Sequence, residues 1–302
     1  MNKKLQAVAD VLFRRRKQAP LPPRRRFHRL RKWLRRMAVT ALLLFAVWLA
    51  LPRCDLLPAD LTWSRRVLDR DGNLLTLTLT SDQKFRLWTP LAEMPPDLIA
   101  ATLAHEDHRF RNHSGVDSVS LGRAVWGLLS GSPRGGASTI TMQLARLRFG
   151  INTRTFAGKA EQMFRAIQLE RHYSKDQILE AYLNLAPYGG NVEGIGAASL
   201  RWMGKAPADL TFRECVAFSL VPQRPARRSP ARGEPDASFA SLQGRICAVL
   251  RGSENSGDED FRLHATRRPL PHTAPHFTRR MLRENPGSTL HTTLDTARQL
   301  VL

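Results

Sequence analysis

Apolar residues recur at helical spacing through the middle of this chain, and that periodicity constrains the fold more than any other feature. It runs from residue 97 to about residue 221. This stretch of about 125 residues is long enough for one compact core, and it shows no internal repeat. The sequence therefore predicts a mainly α fold built around a single helical domain.

The first 36 residues carry most of the net charge. The chain has 47 Lys and Arg against 26 Asp and Glu, a formal charge of +21, and residues 1–36 contribute +13 of it. An uncharged apolar run over residues 37–51 follows directly. A basic segment beside such a run favours anionic membrane lipids over nucleic acid as the partner. We therefore expect a basic cytoplasmic segment over residues 1–36, a transmembrane signal-anchor over residues 37–52 and no nucleic-acid partner.

The apolar run is short for a membrane span. Its 15 residues cover roughly 22 Å of a bilayer core about 30 Å thick, at about 1.5 Å per residue. It is either an anchor with snorkelling arginines or the core of a signal peptide. No small-x-small cleavage site follows, which favours the uncleaved anchor. The positive-inside rule then predicts a single-pass protein of the inner membrane whose later domains face the periplasm.

A short β element lies between this run and the helical stretch. Residues 67–79 show strand-like alternation around Asp71-Gly72-Asn73, a combination typical of a tight turn. We expect a short β-hairpin there, near the membrane.

The end of the first predicted helix carries an acid/base pattern. Glu106 and Asp107 follow apolar positions at helical spacing, and His113 and Gly115 come within the next nine residues. Glu106 is therefore expected near the end of a packed helix, where partial burial can raise the pKa of a carboxyl group. Such a group can accept a proton from a hydroxyl. An isolated Glu-Asp pair would usually be a solvated helix end, so the longer pattern carries the argument.

A second polar group follows a pair of glycines. Ile140, Leu144 and Leu147 form the apolar face of a predicted helix, and another face carries Thr139, Gln143 and Arg146, with Ser138 just before it. Free N–H groups at a helix start attract an anion. Taken alone, a Gly-Ser loop that caps an ordinary helix explains the pattern as well.

Two further helices are predicted downstream. The first covers residues 155–171, with Lys159 and Gln162 on one flank and a buried stripe at other positions: Phe156, Ala160, Met163, Phe164 and Ile167. The second starts at the capping box Ser174 to Gln177 and turns four residues to the core: Ile178, Leu179, Tyr182 and Leu183.

These segments resemble the motifs of the family 51 peptidoglycan glycosyltransferases, the polymerising half of class A penicillin-binding proteins. Residues 106–117 match the pattern E-D-x-x-F-x-x-H-x-G-x-D, which is similar to the family's first motif. Residues 136–147 resemble the second, with Met142 in place of a glutamine and Arg146 in place of a lysine. Residues 158–170 resemble the third. The resemblance covers roughly residues 60–235.

The third segment departs most from the family. Lys159 matches the lysine assigned to the donor pyrophosphate, but Gly158 replaces an arginine and Gln162 replaces a glutamate. The penicillin-binding protein 1C subgroup is similar to this chain in carrying glutamine there. Since Gln162→Glu would restore the family residue, the resemblance implies that this change is tolerated or raises activity.

The resemblance implies a lysozyme-like glycosyltransferase domain over residues 60–235. Its activity would be inverting hexosyl transfer, in which lipid II is polymerised into glycan strands with release of undecaprenyl pyrophosphate. Glu106 would be the general base, with Asp107 and His113 as further catalytic residues that orient Glu106 and the motif loop. The substrate-binding residues would be Ser138, Thr139, Gln143, Arg146, Lys159 and Gln162.

The same resemblance implies lipid II, the growing glycan strand and other cell-wall synthesis proteins as partners, in addition to the anionic membrane lipids expected from the basic segment. The spacing of Cys54, Cys215 and Cys247 is not that of metal ligands. We therefore predict no metal site and no required cofactor, with a divalent cation such as Mg²⁺ at most stimulating the reaction.

Residues 236–302 are expected to be a linker and the start of a transpeptidase domain that the chain lacks. Two other functions stay open. A lysozyme-like glycan-cleaving enzyme would also use a glutamate in a helical cleft, but it gives Lys159 and Arg146 no role. A non-catalytic, membrane-anchored scaffold of the cell-wall machinery would explain Gln162, Met142 and the short C-terminal segment.

Overall fold

The computed structural model describes residues 24–131, 136, 138–229, 237–252 and 270–299. The chain divides into two compact units, Met1–Leu51 and Pro52–Leu302. In the first unit, helix α1 spans Arg24–Leu49 and includes most of the predicted anchor. Among the described residues, no helix combines the length and apolar character needed to cross a membrane. The anchor therefore stays a prediction.

The second unit is mostly helical, which confirms the prediction of a mainly α fold. Three short 3-10 turns, Leu91–Glu93, Phe110–Asn112 and Pro207–Asp209, connect some of its elements. Its helices, in chain order, are α2 (Pro96–Glu106), α3 (Ser118–Leu129), α4 (Ile140–Phe149), α5 (Phe156–His172), α6 (Lys175–Leu185), α7 (Ile195–Met203), α8 (Phe212–Leu220), α9 (Pro225–Arg228), α10 (Ala237–Arg251), α11 (Pro275–Glu284) and α12 (Thr296–Gln299).

The predicted hairpin is present. Strand β1 (Arg66–Leu68) pairs antiparallel with β2 (Leu74–Leu77). The Asp69 carboxylate accepts hydrogen bonds from the backbone N–H groups of Asp71 and Asn73, which closes the turn. A third strand, β6 (Thr289–His291), pairs with β1 in parallel. No local pattern predicts that strand, because its partner lies more than 200 residues earlier in the chain.

A second small sheet lies beside the helices. Strand β3 (Phe85–Arg86) runs parallel to β5 (Val192–Glu193), which pairs antiparallel with β4 (Pro187–Gly189). Strands β4 and β5 follow α6 and precede α7, whereas β3 precedes α2, so the sheet brings the loop after α6 back against the segment before α2.

The core lies between α2, α6 and α8. Each side chain of α6 that is predicted to face the core is buried: Ile178, Leu179, Tyr182 and Leu183. The capping box from Ser174 to Gln177 is formed on both sides, as predicted. Cys215 of α8 is a buried free thiol, which fits a small core side chain.

The described part of the predicted linker is folded. Residues 237–252 and 270–299 contain α10, α11, β6 and α12, and the side chains of Phe239 and Ile246 on α10 are buried in the core. Helix α10 thus extends the folded unit past the predicted boundary at residue 235. A linker is predicted there from the sequence, because a Pro- and Arg-rich segment precedes α10 and a polar, acidic segment follows it.

The predicted buried stripe of α5 is wrong. Phe156 is 99% exposed and Phe164 is 47% exposed, and Ala160, Met163 and Ile167 are not buried either. The buried face carries Gly158, Gln162, Ala166, Gln168 and Leu169 instead. Small residues allow the backbone to approach closely here, since a Cβ atom at Gly158 would lie 2.0 Å from the Asn152 carbonyl oxygen. That contact also explains why this chain cannot carry the family's arginine at position 158 without moving the loop.

Candidate active site

Helix α2 positions Glu106. Leu98, Ala101 and Thr102 bury one face of the helix in the core, and Glu106 is its last residue, as the sequence predicted. The Glu106 side chain is only 4% exposed. Because α2 is anchored by its buried face, the carboxylate has little freedom to move away from its neighbours.

The two oxygens of Glu106 have different surroundings. Oε2 accepts a hydrogen bond of 2.7 Å from Gln143 Nε2 on α4. Oε1 is buried and has no hydrogen-bond partner among the described residues. Burial raises the pKa of the carboxyl group, and the Gln143 bond and the charge of Arg228 only partly oppose it. Oε1 is therefore the oxygen that can take a proton.

Tyr182 orients the side-chain amide of Gln143. Its hydroxyl donates to Gln143 Oε1 at 3.4 Å, which turns the Nε2 end of the amide towards Glu106. Burial and the nearby Glu106 charge raise the pKa of Tyr182 well above 10, so the hydroxyl keeps its proton and remains a donor. From helical periodicity alone, Tyr182 is predicted to be a core residue. The available signal was that a buried tyrosine hydroxyl usually has a polar partner.

Asp107 and His113 form a pair next to Glu106. His113 Nε2 lies 3.0 and 3.1 Å from the two Asp107 carboxylate oxygens. Asp107 Oδ2 also accepts from the backbone N–H of Ile140 at 3.1 Å. Neither residue bonds to Glu106 among the described contacts, so their expected role in orienting Glu106 stays a prediction. They tie the motif loop to the start of α4, and the Asp107 charge adds to the rise in the pKa of Glu106.

More of the backbone N–H groups at the start of α4 have hydrogen-bond partners within the protein than the sequence suggested. Thr139 is the N-cap, and its hydroxyl accepts from Met142 N–H at 3.1 Å and donates to the Gly115 carbonyl at 2.6 Å. The N–H of Ile140 already points to Asp107. Two of the N–H groups expected to be open to an anion are therefore engaged, and attraction for an anion comes from side-chain cations instead.

Lys159 and Arg146 supply those cations. Lys159 Nζ donates to Ser138 Oγ at 2.7 Å and to Gln162 Oε1 at 2.9 Å. The Gln162 side chain is buried, and its Nε2 donates to the Met142 carbonyl at 2.6 Å. Gln162 therefore fixes Lys159 against α4.

The charge of Arg146 acts on the pKa of both Lys159 and Glu106. Its charge lowers the pKa of Lys159, although burial is the larger cause of that shift. The same charge also opposes the rise in the pKa of Glu106. Arg146 is half-buried, and its guanidinium makes no hydrogen bond or ion pair with the other described residues. The Arg146 guanidinium is therefore available to a ligand.

A polar cavity of about 130 Å³ opens beside the base, and its lining includes Glu106, Ser138 and Thr139. A larger cavity of about 470 Å³ lies elsewhere, beside Asp82, Arg86 and Glu193. We place the site at the smaller one, because the cation of the larger cavity is already neutralised by two carboxylates. No group of three or more His, Cys, Asp or Glu side chains in the described part of the chain is arranged to hold a metal ion.

Comparison with known proteins identifies the family. Residues 71–253 match the transglycosylase family. The chain belongs to that family. The match confirms the resemblance found in the motifs, and it extends past residue 235 to include α10.

Individual relatives agree with this assignment. Penicillin-binding protein 1C of Escherichia coli is 35% identical over 272 residues, covering 88% of this chain and 35% of the relative. Penicillin-binding protein 1A of Pseudomonas aeruginosa is 43% identical over 166 residues, covering 55% of this chain and 20% of the relative. The chain thus spans about a third or less of the length of these two proteins.

One solved structure has a weaker similarity. The 2.6 Å crystal structure of penicillin-binding protein 1A from Haemophilus influenzae overlaps 80% of this chain and 28% of its own, with a TM-score of 0.37 and 16% identity. That overlap is too low to support a conclusion.

Proposed function

We propose that this chain is a peptidoglycan glycosyltransferase that polymerises lipid II into glycan strands and releases undecaprenyl pyrophosphate. The observation that carries the proposal is the arrangement around Glu106. One carboxylate oxygen is fixed by Gln143 and the other is buried and unbonded, and Arg146 acts on both this carboxylate and Lys159. A base that takes the acceptor proton and cations that stabilise a leaving pyrophosphate are groups suited to glycosyl transfer.

The proposed reaction is an inverting displacement. Glu106 Oε1 takes the proton from the 4-hydroxyl of the acceptor sugar as that oxygen attacks the anomeric carbon of the donor. The bond between this carbon and the pyrophosphate oxygen breaks, and its electron pair leaves with the pyrophosphate. Lys159 and Arg146 stabilise the negative charge that develops on the leaving group, because a preorganised cation needs no reorganisation during the reaction. No cofactor takes part in this scheme, and Mg²⁺ is at most an additional counter-ion.

The contacts argue against the two alternatives. A glycan-cleaving enzyme would have use for the buried carboxyl group, but cleavage of a sugar–sugar bond develops no pyrophosphate charge for Lys159 and Arg146 to stabilise. A non-catalytic scaffold gives no reason to keep Glu106 Oε1 buried without a partner, which costs folding free energy.

We extend the proposal to the location of the enzyme. Residues 1–36 would lie in the cytoplasm against anionic lipids, residues 37–52 would anchor the chain in the inner membrane, and the domain over residues 60–235 would face the periplasm. Other cell-wall synthesis proteins would be its partners there. A reporter fused after Arg53 is then expected to be active only in the periplasm, and release of a shorter soluble form would contradict the anchor.

The activity is tested with the full chain purified in detergent and supplied with labelled lipid II, with and without Mg²⁺. We expect polymeric glycan and released undecaprenyl pyrophosphate. Preformed glycan strands incubated with the same protein are expected to remain intact. Cleavage of those strands would support the hydrolase, and failure to polymerise lipid II under every detergent and cation condition would support the scaffold.

A further inference from the structure

His105 lies directly before Glu106, and the proposed function gives it no role. Its side chain is 8% exposed, nearly as buried as that of Glu106. The His105 Nε2 atom lies 3.8 Å from Glu106 Oε1, the oxygen assigned above to proton transfer. Neither of these two atoms has a hydrogen-bond partner among the described residues. Both residues also line the cavity next to Ser138.

Buried polar atoms in folded proteins almost always have a partner, so two that lie together need an explanation. They are too far apart to bond to each other well, since such bonds are about 2.7 to 3.2 Å long. A single oxygen atom can lie within that distance of both. The spacing therefore suits a hydroxyl group or a water molecule held between the two side chains.

We propose that His105 Nε2 and Glu106 Oε1 form a two-point oxygen site, which holds a water molecule in the resting protein and the hydroxyl of the acceptor sugar during the reaction. The second half of this proposal rests on the proposed function. The first half does not, because it requires only the two side chains and water.

The site would fix the direction of the reacting hydroxyl. The His105 Nε2–H group donates to the hydroxyl oxygen, and the hydroxyl proton then points at Glu106 Oε1. One lone pair of the oxygen remains for attack on the anomeric carbon. The proton moves to Oε1, the new carbon–oxygen bond forms, and the pyrophosphate leaves with the electron pair of the broken bond. His105 neither gains nor loses a proton, so it acts by contact with the reacting oxygen.

The surroundings of His105 suit that role. Its pKa is lowered to about 4, mainly by burial and also by the positive charges of Arg228 and Arg245, while a hydrogen bond with the Gln223 side chain partly opposes the shift. The imidazole is therefore neutral near pH 7. A charged imidazolium at this distance would pair with the Glu106 carboxylate and weaken it as a base.

Two variants of similar size separate the hydrogen bond from packing. His105→Gln can place an amide N–H near the position of Nε2, whereas His105→Met fills the space without a donor. In the lipid II assay we expect His105→Met to lower kcat by about 10- to 100-fold, the cost of a lost hydrogen bond to a reacting group. KM should stay within twofold, and His105→Gln should recover most of the rate. Thermal unfolding of both variants shows whether each one folds.

The outcomes are distinguishable. If the wild-type chain polymerises lipid II and folded His105→Met keeps its rate, or if His105→Gln is as slow as His105→Met, the acceptor role of the site is wrong while the proposed function stands. If the wild-type chain makes no glycan, the proposed function fails. The water-binding half is then decided by high-resolution crystal structures of the full chain. In the wild-type structure an oxygen should lie within about 3.2 Å of both His105 Nε2 and Glu106 Oε1. In the His105→Met structure that oxygen should be missing from Glu106 Oε1, because the second partner is gone. Its absence from the wild-type structure would overturn the site.

Discussion

The base side and the cation side of the candidate site are built in different ways. Glu106 is almost fully buried, and Gln143 and Tyr182 form a chain of neutral groups behind one of its oxygens. Lys159 and Arg146 are half-buried, and no described carboxylate pairs with either of them. The protein thus sets the strength of the base by removing water, and it leaves the cations unneutralised so that a ligand can supply the negative charge.

A cation elsewhere in the same unit shows the contrast. Arg86 is buried and bonds to both Asp82 and Glu193 at 2.6 Å, and Lys84 pairs with Glu193 as well. Those charges hold strands β3 and β5 in place and have little left for a ligand. Arg86 therefore makes a structural contact, whereas Lys159 and Arg146 keep charges that no described carboxylate neutralises.

Replacement of the base should have the largest effect. Glu106→Gln keeps the shape and the contact with Gln143 but removes the group that accepts the proton, so kcat should fall by about 100- to 10,000-fold. Binding of lipid II should change little, because few ground-state contacts are lost. Glu161→Gln, at an exposed position on α5, is the matched control and should keep the wild-type rate. Full activity in Glu106→Gln would move the chemistry to another residue.

Loss of an unpaired cation should come next. Lys159→Ala removes a charge that stabilises the leaving group, and about 100-fold of kcat should be lost, as for other preorganised donors. Lys84→Ala removes the same side chain where Glu193 already neutralises it, so it should leave the rate within about twofold, as expected for a pair that contributes little. Equal losses in the two variants would erase the distinction between paired and unpaired cations.

Gln162→Glu tests a conflict between resemblance and structure. The family resemblance implies that this change is tolerated or raises activity. In this protein Gln162 Nε2 donates to the Met142 carbonyl, and a carboxylate would place an acceptor against that acceptor. We expect the free energy of unfolding to fall by about 1 to 3 kcal/mol, as measured by chemical denaturation. The rate should fall too, because the new charge neutralises Lys159. A faster and equally stable variant would show that the resemblance is the better guide.

Tyr182→Phe should give the smallest effect. It removes the hydroxyl that orients Gln143 through a long bond of 3.4 Å, so we expect kcat to fall by about threefold, near the lower end for a neutral hydrogen bond. Tyr173→Phe is the control, because the Tyr173 hydroxyl donates to the Cys54 carbonyl at 2.9 Å and has no contact with Gln143. A larger loss in Tyr173→Phe than in Tyr182→Phe would contradict the chain of contacts behind the base.

Local signals predicted much of this arrangement. The end of α2 at Glu106, the hairpin turn at Asp69 and the capping box at Ser174 each depend on residues a few positions apart, and each is present. The meeting of Lys159 with Ser138 also agrees with the grouping made from the motifs.

Features set by packing between distant segments could not be predicted in this way. Helix α5 turns its small and polar face inward, because Gly158 and Ala166 allow close approach of neighbouring backbone and the apolar Phe156 does not. The parallel pairing of β6 with β1 has no local pattern. The role of Tyr182 depends on where α4 places Gln143, and periodicity along α6 does not contain that information.

The central claim is that Glu106 acts as the base because burial has strengthened it, and the pH dependence of kcat/KM for glycan formation tests this most directly. The deprotonated carboxylate is the active form, so activity should be present above the pKa of Glu106 and lost as the pH falls through it. Burial raises that pKa from its ordinary value of 4.5. The account predicts an acidic loss of activity with a midpoint above 4.5 that is missing from the residual rate of Glu106→Gln. A midpoint at or below 4.5, or the same loss in Glu106→Gln, would contradict it.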